Sequence, residues 1–121
     1  MPNDYYLVVM EFISENLLNY CIGHSSPEPE ILKDLRRQTF LKIPQPRMLS
    51  GPLQGRFLAL LSKLKAPQNI LEIGTYTGYS AICLAEGLTP NGQLITLEKN
   101  DELAWLSNHF FNKSGFSQQI K

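Results

Sequence analysis

The stretch Asn69-Ile-Leu-Glu-Ile-Gly-Thr-Tyr-Thr-Gly-Tyr-Ser-Ala-Ile-Cys-Leu-Ala-Glu86 decides the fold. Ile70, Leu71 and Ile73 form a short, β-rich apolar run, Gly74 and Gly78 bracket a turn, and Ala81, Ile82, Leu84 and Ala85 follow at helical spacing. A buried strand, a glycine-bounded turn and a helix make half of a βαβ unit. Downstream, Thr89-Pro-Asn-Gly92 reads as a turn with Gly92 available for a positive φ, and Gln93-Leu-Ile-Thr-Leu-Glu98 alternates toward a second buried strand. Strand, helix and strand in that order imply a right-handed parallel crossover.

The turn has the chemistry of a ligand loop, and its residues restrict the ligand. A dinucleotide site needs a middle glycine so that the backbone can approach a pyrophosphate, and that position is Tyr76. The Gly-Lys-Ser/Thr ending of a P-loop is missing as well. Glycine only at Gly74 and Gly78 suits a ligand without a pyrophosphate, with backbone from Gly74 to Ser80 against an amino-acid moiety. Glu98, at the carboxyl end of the second strand, stands where a carboxylate can accept both hydroxyls of a ribose; the alternative is a solvated charge at a strand end. Glu72 interrupts an apolar strand, so its charge must be paired or ligand-linked, because burying it alone costs several kcal/mol.

Outward from this unit the chain reads as helices. From Asp4 to about Tyr20, Tyr6, Val9, Met10, Ile13, Leu17 and Tyr20 recur at steps of three and four, an amphipathic pattern stopped at Gly23. Ser26 and Pro27 read as the cap and first turn of a second helix that buries Ile31, Leu32, Leu35 and Thr39. Ile43 to Pro52 holds three prolines and is expected to be an extended linker or lid. Ser50 then resembles a cap for a third helix whose apolar stripe is Leu53, Phe57, Leu60, Leu61 and Leu64, ending before Pro67. Asp101 reads as the cap of a last helix with Leu103, Ala104, Leu106, Phe110 and Phe111 on its apolar side, Gly115 as its stop, and Phe116 to Ile120 as the start of a third strand.

Composition sets the class. The 121 residues, 43% hydrophobic and 18% charged, suit one soluble globular domain. Eleven basic residues balance eleven acidic ones, which argues against nucleic acid or an anionic membrane as partner. Cys21 and Cys83 lack metal-site spacing and read as structural thiols. Neither a membrane span nor a signal peptide is legible, so a cytoplasmic location is the expectation. His24 and His109 lack a partner pattern, and Trp105 reads as a packing residue.

Leu71-Glu-Ile-Gly-Thr-Tyr-Thr-Gly-Tyr-Ser80, preceded by Arg47-Met-Leu-Ser50 and Gln54-Gly55, resembles the cation-dependent O-methyltransferases of the caffeoyl-CoA and catechol type, which use S-adenosylmethionine. Three segments agree in order and spacing, and Glu98 follows where that family has an acidic residue. The resemblance implies an α/β, Rossmann-like S-adenosylmethionine methyltransferase fold, truncated after the second or third strand, with an N-terminal helical cap. Residues 1–66 are then the cap and crossover segment, and residues 67–121 the first part of the cofactor-binding domain. Met48, Ser50, Glu72, Gly74, Tyr76, Gly78, Ser80 and Glu98 become the cofactor-binding set, with Tyr79 a further candidate over the methionine end.

The same resemblance implies a divalent cation of the Mg²⁺ type, held by two aspartates and an asparagine that orient two vicinal hydroxyls. Those ligands belong to segments beyond the third strand, so no metal ligand and no catalytic residue is carried over to this chain. The expectation is an N-terminal fragment, inactive alone, of an enzyme that methylates a hydroxyl of a small, catechol-like acceptor. The alternative is a noncatalytic binding or dimerisation module derived from that fold. One edge of the central strand lacks a neighbour, so self-association, as a dimer, is expected too.

Overall fold

The structure is a computed structural model and describes residues 13–121. The expected helix positions Tyr6, Val9 and Met10 lie outside the described residues. Helix α1 (Glu15–Gly23) starts at Ser14, whose Oγ accepts from the Leu17 amide at 3.4 Å, and it buries no residue. Helix α2 (Glu30–Lys42) begins later than Ser26 and Pro27 implied. Pro29 is its N-cap, with an extended backbone (φ −56°, ψ 145°), so the first helical residue is Glu30. Of the expected buried side, Leu32, Leu35 and Thr39 are buried and Ile31 is half-buried against the core.

Pro46–Met48 form a single 3₁₀ turn inside the proline-rich linker. Helix α3 (Gly51–Lys65) follows, with Ser50 in helical conformation and making no side-chain cap bond. The strand β1 (Asn69–Ile73), helix α4 (Tyr79–Ala85) and strand β2 (Gln93–Leu97) form the crossover, and the strands pair in parallel with Glu72 opposite Thr96. Gly92 does not take a positive φ; a Cβ there would come within 3.0 Å of the Gln68 and Thr89 carbonyl oxygens, so close approach is what requires glycine. A 3₁₀ turn at Asp101–Leu103, capped by Asn100 and not by Asp101, leads into α5 (Ala104–Ser114), which Gly115 terminates at φ 83°. The expected third strand from Phe116 reduces to a parallel bridge of Ile120 to Leu94, because residues 117–119 turn first.

One helix contradicts its own periodicity. The side of α3 that packs inward is Gly55, Ala59 and Ser62, whereas Phe57, Leu60, Leu61 and Leu64 of the expected stripe are exposed. The reason is proximity to α4. A Cβ at Gly55 would lie 2.7 Å from Tyr79 Cε1 and 2.9 Å from Cys83 Sγ, so only small residues fit the contact. Arg56 and Lys63 lock the same contact through Glu86 at 2.6 and 2.8 Å.

The core is built round α4. Tyr79, Ile82 and Cys83 meet Leu32 and Leu35 of α2, Ala59 of α3, Leu94 of β2, Leu106 and Phe110 of α5, and Ile120. Burial pushes the Cys83 thiol up to about 12, so it is a packing residue at neutral pH. Cys21 is also a free thiol.

Tyr79 is expected to tie α4 to the segment before α2. Its hydroxyl donates to Glu28 Oε1 at 2.6 Å, and Arg36 donates to both oxygens of the same carboxylate. Burial and this bond together raise the Tyr79 pKa. Tyr79→Phe is expected to cost about 2 kcal/mol in urea denaturation, the range for a bond to a charged partner; an unchanged midpoint would show that the bond contributes nothing.

Candidate functional site

The loop between β1 and α4 is set on the end of β2 by backbone bonds. The Gly74 and Thr75 amides both donate to the Leu97 carbonyl, at 2.8 and 3.1 Å. Gly74 (φ 100°) and Gly78 (φ 94°) make the bends that glycine allows. Tyr76 between them also has a positive φ, 52°, a conformation that costs a non-glycine residue about 1 kcal/mol or more. Contacts hold it there: its amide donates to Glu98 Oε2 at 2.7 Å, and its hydroxyl to the Gln45 carbonyl at 3.1 Å. The proline-rich linker is thereby tied down over the loop.

Glu98 accepts more than the Tyr76 amide. Its Oε1 takes the Lys99 and Asn100 amides, both at 2.9 Å. Three of the roughly four lone-pair sites of the carboxylate are in use. These bonds, the Asn100 amide foremost, hold its pKa below the usual carboxylate range.

Glu72 has hydroxyl partners instead of a cation. Ser80 Oγ donates to its Oε2 and Thr96 Oγ1 to its Oε1, each at 2.6 Å. Thr75 Oγ1 lies 2.7 Å from Thr96 Oγ1, and because Thr96 has spent its single proton on Glu72, Thr75 is the donor.

Two cavities open on this arrangement. The larger, about 620 Å³, is lined by Lys42, Gln45, Met48, Gly74, Tyr76, Glu98, Asn100 and Trp105 among others. The smaller, about 60 Å³, is lined by Met48, Ser50, Gly74, Thr75, Tyr76 and Ser80 among others. Met48, Gly74 and Tyr76 face both. Of the residues singled out from the sequence, the fold thus brings seven together on these cavities: Met48, Ser50, Gly74, Tyr76, Tyr79, Ser80 and Glu98.

Two others, Glu72 and Gly78, lie elsewhere. Glu72 lines neither cavity and acts behind the loop through Ser80 and Thr96. Gly78 is buried against Phe111, where a Cβ would come within 2.6 Å of the ring. Tyr79 borders the small cavity but is 2% exposed, with its hydroxyl turned toward Glu28.

The sequence reading missed Lys42 and Trp105. Trp105 is 53% exposed on the cavity wall instead of packed, with Lys42 Nζ 5.6 Å from its ring centroid. Their meeting arises from α2 packing on α5, a tertiary fact with no local signal. His24 stacks on Tyr20, and His109 meets Phe110 edge-on. Among the described residues no group of three or more His, Cys, Asp or Glu side chains is placed to hold a metal ion. No helix among them is long and apolar enough to cross a membrane.

Comparison with known proteins agrees with the geometry. The sequence model described as O-methyltransferase matches residues 22–121. A catechol O-methyltransferase of Niastella koreensis is 41% identical over 76 residues, 63% of this chain and 34% of its own length. Caffeoyl-CoA O-methyltransferase 1 of Arabidopsis thaliana is 35% identical over 109 residues, 88% of this chain and 42% of its own. Among solved structures, the methyltransferase PaMTH1 of Podospora anserina, crystallised with SAH, superposes with a TM-score of 0.81 at 30% identity, over 88% of this chain and 46% of that one. The chain therefore spans less than half the length of each of these relatives.

Proposed function

Because the chain belongs to the O-methyltransferase family, we propose that the paired cavities bind S-adenosylmethionine and that the activity they serve is methyl transfer to a hydroxyl of a small, catechol-like acceptor. One observation carries this reading. A carboxylate at the end of β2, Glu98, reaches across to the amide at the crest of the glycine loop, Tyr76, on the wall of a cavity within the size range of ligand pockets. That relation is what a ribose-bearing ligand without a pyrophosphate needs.

The residues fit the cofactor. Glu98 has one lone-pair site left for a ribose hydroxyl. Met48 borders both cavities and offers a polarisable, apolar wall. Ser50 and Ser80 offer oxygens at the small cavity, and Gly74 leaves room for a ligand against the backbone, since a Cβ there would meet nothing within 4 Å. Trp105 and Lys42 close the far side of the large cavity. What the bound cofactor supplies is an electrophilic methyl group on a sulfonium sulfur. The divalent cation implied by the resemblance finds no fitting ligand set among the described residues.

The test is calorimetric titration with S-adenosylmethionine and with S-adenosylhomocysteine. Saturable one-to-one binding of both is expected, and absence of heat from either ligand would sink the reading. Methyl transfer to catechol with added Mg²⁺ then separates the enzyme from a binding module that keeps the cofactor site without turnover.

A further inference from the structure

The hydroxyls of the glycine loop divide between two neighbours. Thr75 and Ser80 spend their protons on the strand side, on Thr96 and Glu72. The hydroxyls of Tyr76, Thr77 and Tyr79 reach helix α2 and its flanks instead. Tyr79 donates to Glu28 just before the helix, and Tyr76 to the Gln45 carbonyl just after it. Between these two contacts Thr77 Oγ1 lies 3.0 Å from Thr39 Oγ1 in the last turn of α2, and both residues are 0% exposed.

The middle contact is the most constrained of the three. Thr39 Oγ1 also lies 2.8 Å from the Leu35 carbonyl oxygen. A carbonyl only accepts and Thr39 has a single proton, so the two bonds together require the proton of Thr77 as well. At a site with no exposed surface a hydroxyl without its partner carries its full desolvation cost, so the pair holds each residue to one position. Thr77 lines neither cavity, yet Thr75, Tyr76, Tyr79 and Ser80 on either side of it all line the small one. Across Thr77 the Gly78 amide closes the turn on the Thr75 carbonyl at 2.9 Å, so a shift of Thr77 is passed to both sides of the turn. Tyr76, directly before it, keeps its positive φ only while its surroundings hold it.

We propose that Thr39 and Thr77 are positioning residues of the cofactor site. Their buried bond sets the glycine loop against α2 in the shape that takes the amino-acid moiety of S-adenosylmethionine, and neither residue touches the ligand. This rests on the cofactor reading and deepens it. The ribose end is held separately by Glu98 at the end of β2, which also fixes the Lys99 and Asn100 amides, so loss of the Thr39–Thr77 bond loosens the amino-acid end alone.

The experiment is calorimetric titration with S-adenosylhomocysteine and with methylthioadenosine, which has the base, ribose and sulfur but no amino-acid moiety. The double variant Thr39→Val, Thr77→Val deletes the bond, keeps the shape of both side chains and leaves no buried hydroxyl without a partner, a change close to neutral for folding. Its melting, followed by circular dichroism, is expected to match the parent's. Its affinity for S-adenosylhomocysteine is expected to fall about tenfold, the scale of one hydrogen bond, while its affinity for methylthioadenosine stays at the parent's. Thr77→Ser, which keeps the proton, is expected to bind both ligands as the parent does. Parental affinity for S-adenosylhomocysteine in the double variant overturns the proposal, and so does an equal loss for both ligands. A loss in Thr77→Ser as large as in the double variant assigns the effect to packing and overturns it too. A double variant that no longer folds does the same, because the bond then holds the fold and not the loop. Failure of the parent to bind S-adenosylhomocysteine is a separate result, which removes the cofactor reading itself and this proposal with it.

Discussion

Replacing Gly87 by alanine is expected to lower the stability of the chain severely. A Cβ at this buried position would stand 2.2 Å from the Ser62 carbonyl carbon, 2.3 Å from Ser62 Oγ and 2.4 Å from the Lys63 amide nitrogen. Two of these three atoms are backbone, so no side-chain rotation relieves the overlap. Helix α3 would have to move away from the end of α4. That motion breaks the bond from Ser62 Oγ to the Leu84 carbonyl at 2.6 Å and strains the Arg56–Glu86–Lys63 cluster beside it. Overpacking costs about 1–3 kcal/mol where side chains can adjust, and more where they cannot, so a loss of at least about 3 kcal/mol is expected. A domain has only about 5–15 kcal/mol in total. Urea denaturation measures the effect, with Gly23→Ala as the comparison, since a Cβ at Gly23 meets nothing within 4 Å. If the two variants unfold at the same midpoint, the close crossing of α3 and α4 is not what holds them.

Glu98→Ala is expected to weaken S-adenosylmethionine binding by about a hundredfold while the chain stays folded. The carboxylate holds the Tyr76, Lys99 and Asn100 amides, and thereby two loops, in one arrangement. Its removal frees both loops and deletes the acceptor proposed for the ribose. A hydrogen bond to a charged group contributes about 1.5–3 kcal/mol, which gives the hundredfold scale. Glu98→Gln keeps one acceptor oxygen and is expected to fall between. Titration calorimetry reads the affinities, and circular dichroism checks that both variants remain folded. Binding by Glu98→Ala at the parent's affinity would remove Glu98 from the site.

The pH dependence follows from the same bonds. Because the folded pKa is held below the usual carboxylate range, chiefly by the Asn100 amide, the contribution is complete above that range. It is lost as pH falls through the lowered value. Affinity is therefore expected to be level from neutral pH down to the ordinary carboxylate range and to drop only below it.

The parts of this fold legible in the sequence are those written in local signals. Gly74, Gly78 and Gly115 all take the positive φ that a bend or helix stop requires, and the alternation of Gln93 to Leu97 gives a strand. The parts that were not legible depend on what an element meets. Periodicity identified α3 correctly but assigned its inner face to the large residues, when Gly55, Ala59 and Ser62 are what the close approach of α4 admits. Met48, Ser50 and Ser80 all line the small cavity, whereas Trp105 and Lys42 entered the large one only because α2 lies on α5. Glu72 showed as a charge needing partners, but hydroxyls as those partners cannot be read from a strand pattern.

The hydroxyl chain behind the loop has a direction. Thr75 gives its proton to Thr96, Thr96 gives its own to Glu72, and Ser80 gives its own to the other oxygen of Glu72. Every proton in the relay points at one carboxylate. Ser80 and Thr75 both line the small cavity, and in both the hydroxyl proton is already committed. Glu72, which lines neither cavity, thus fixes the hydroxyl orientation of two residues, Thr75 and Ser80, that line the small one.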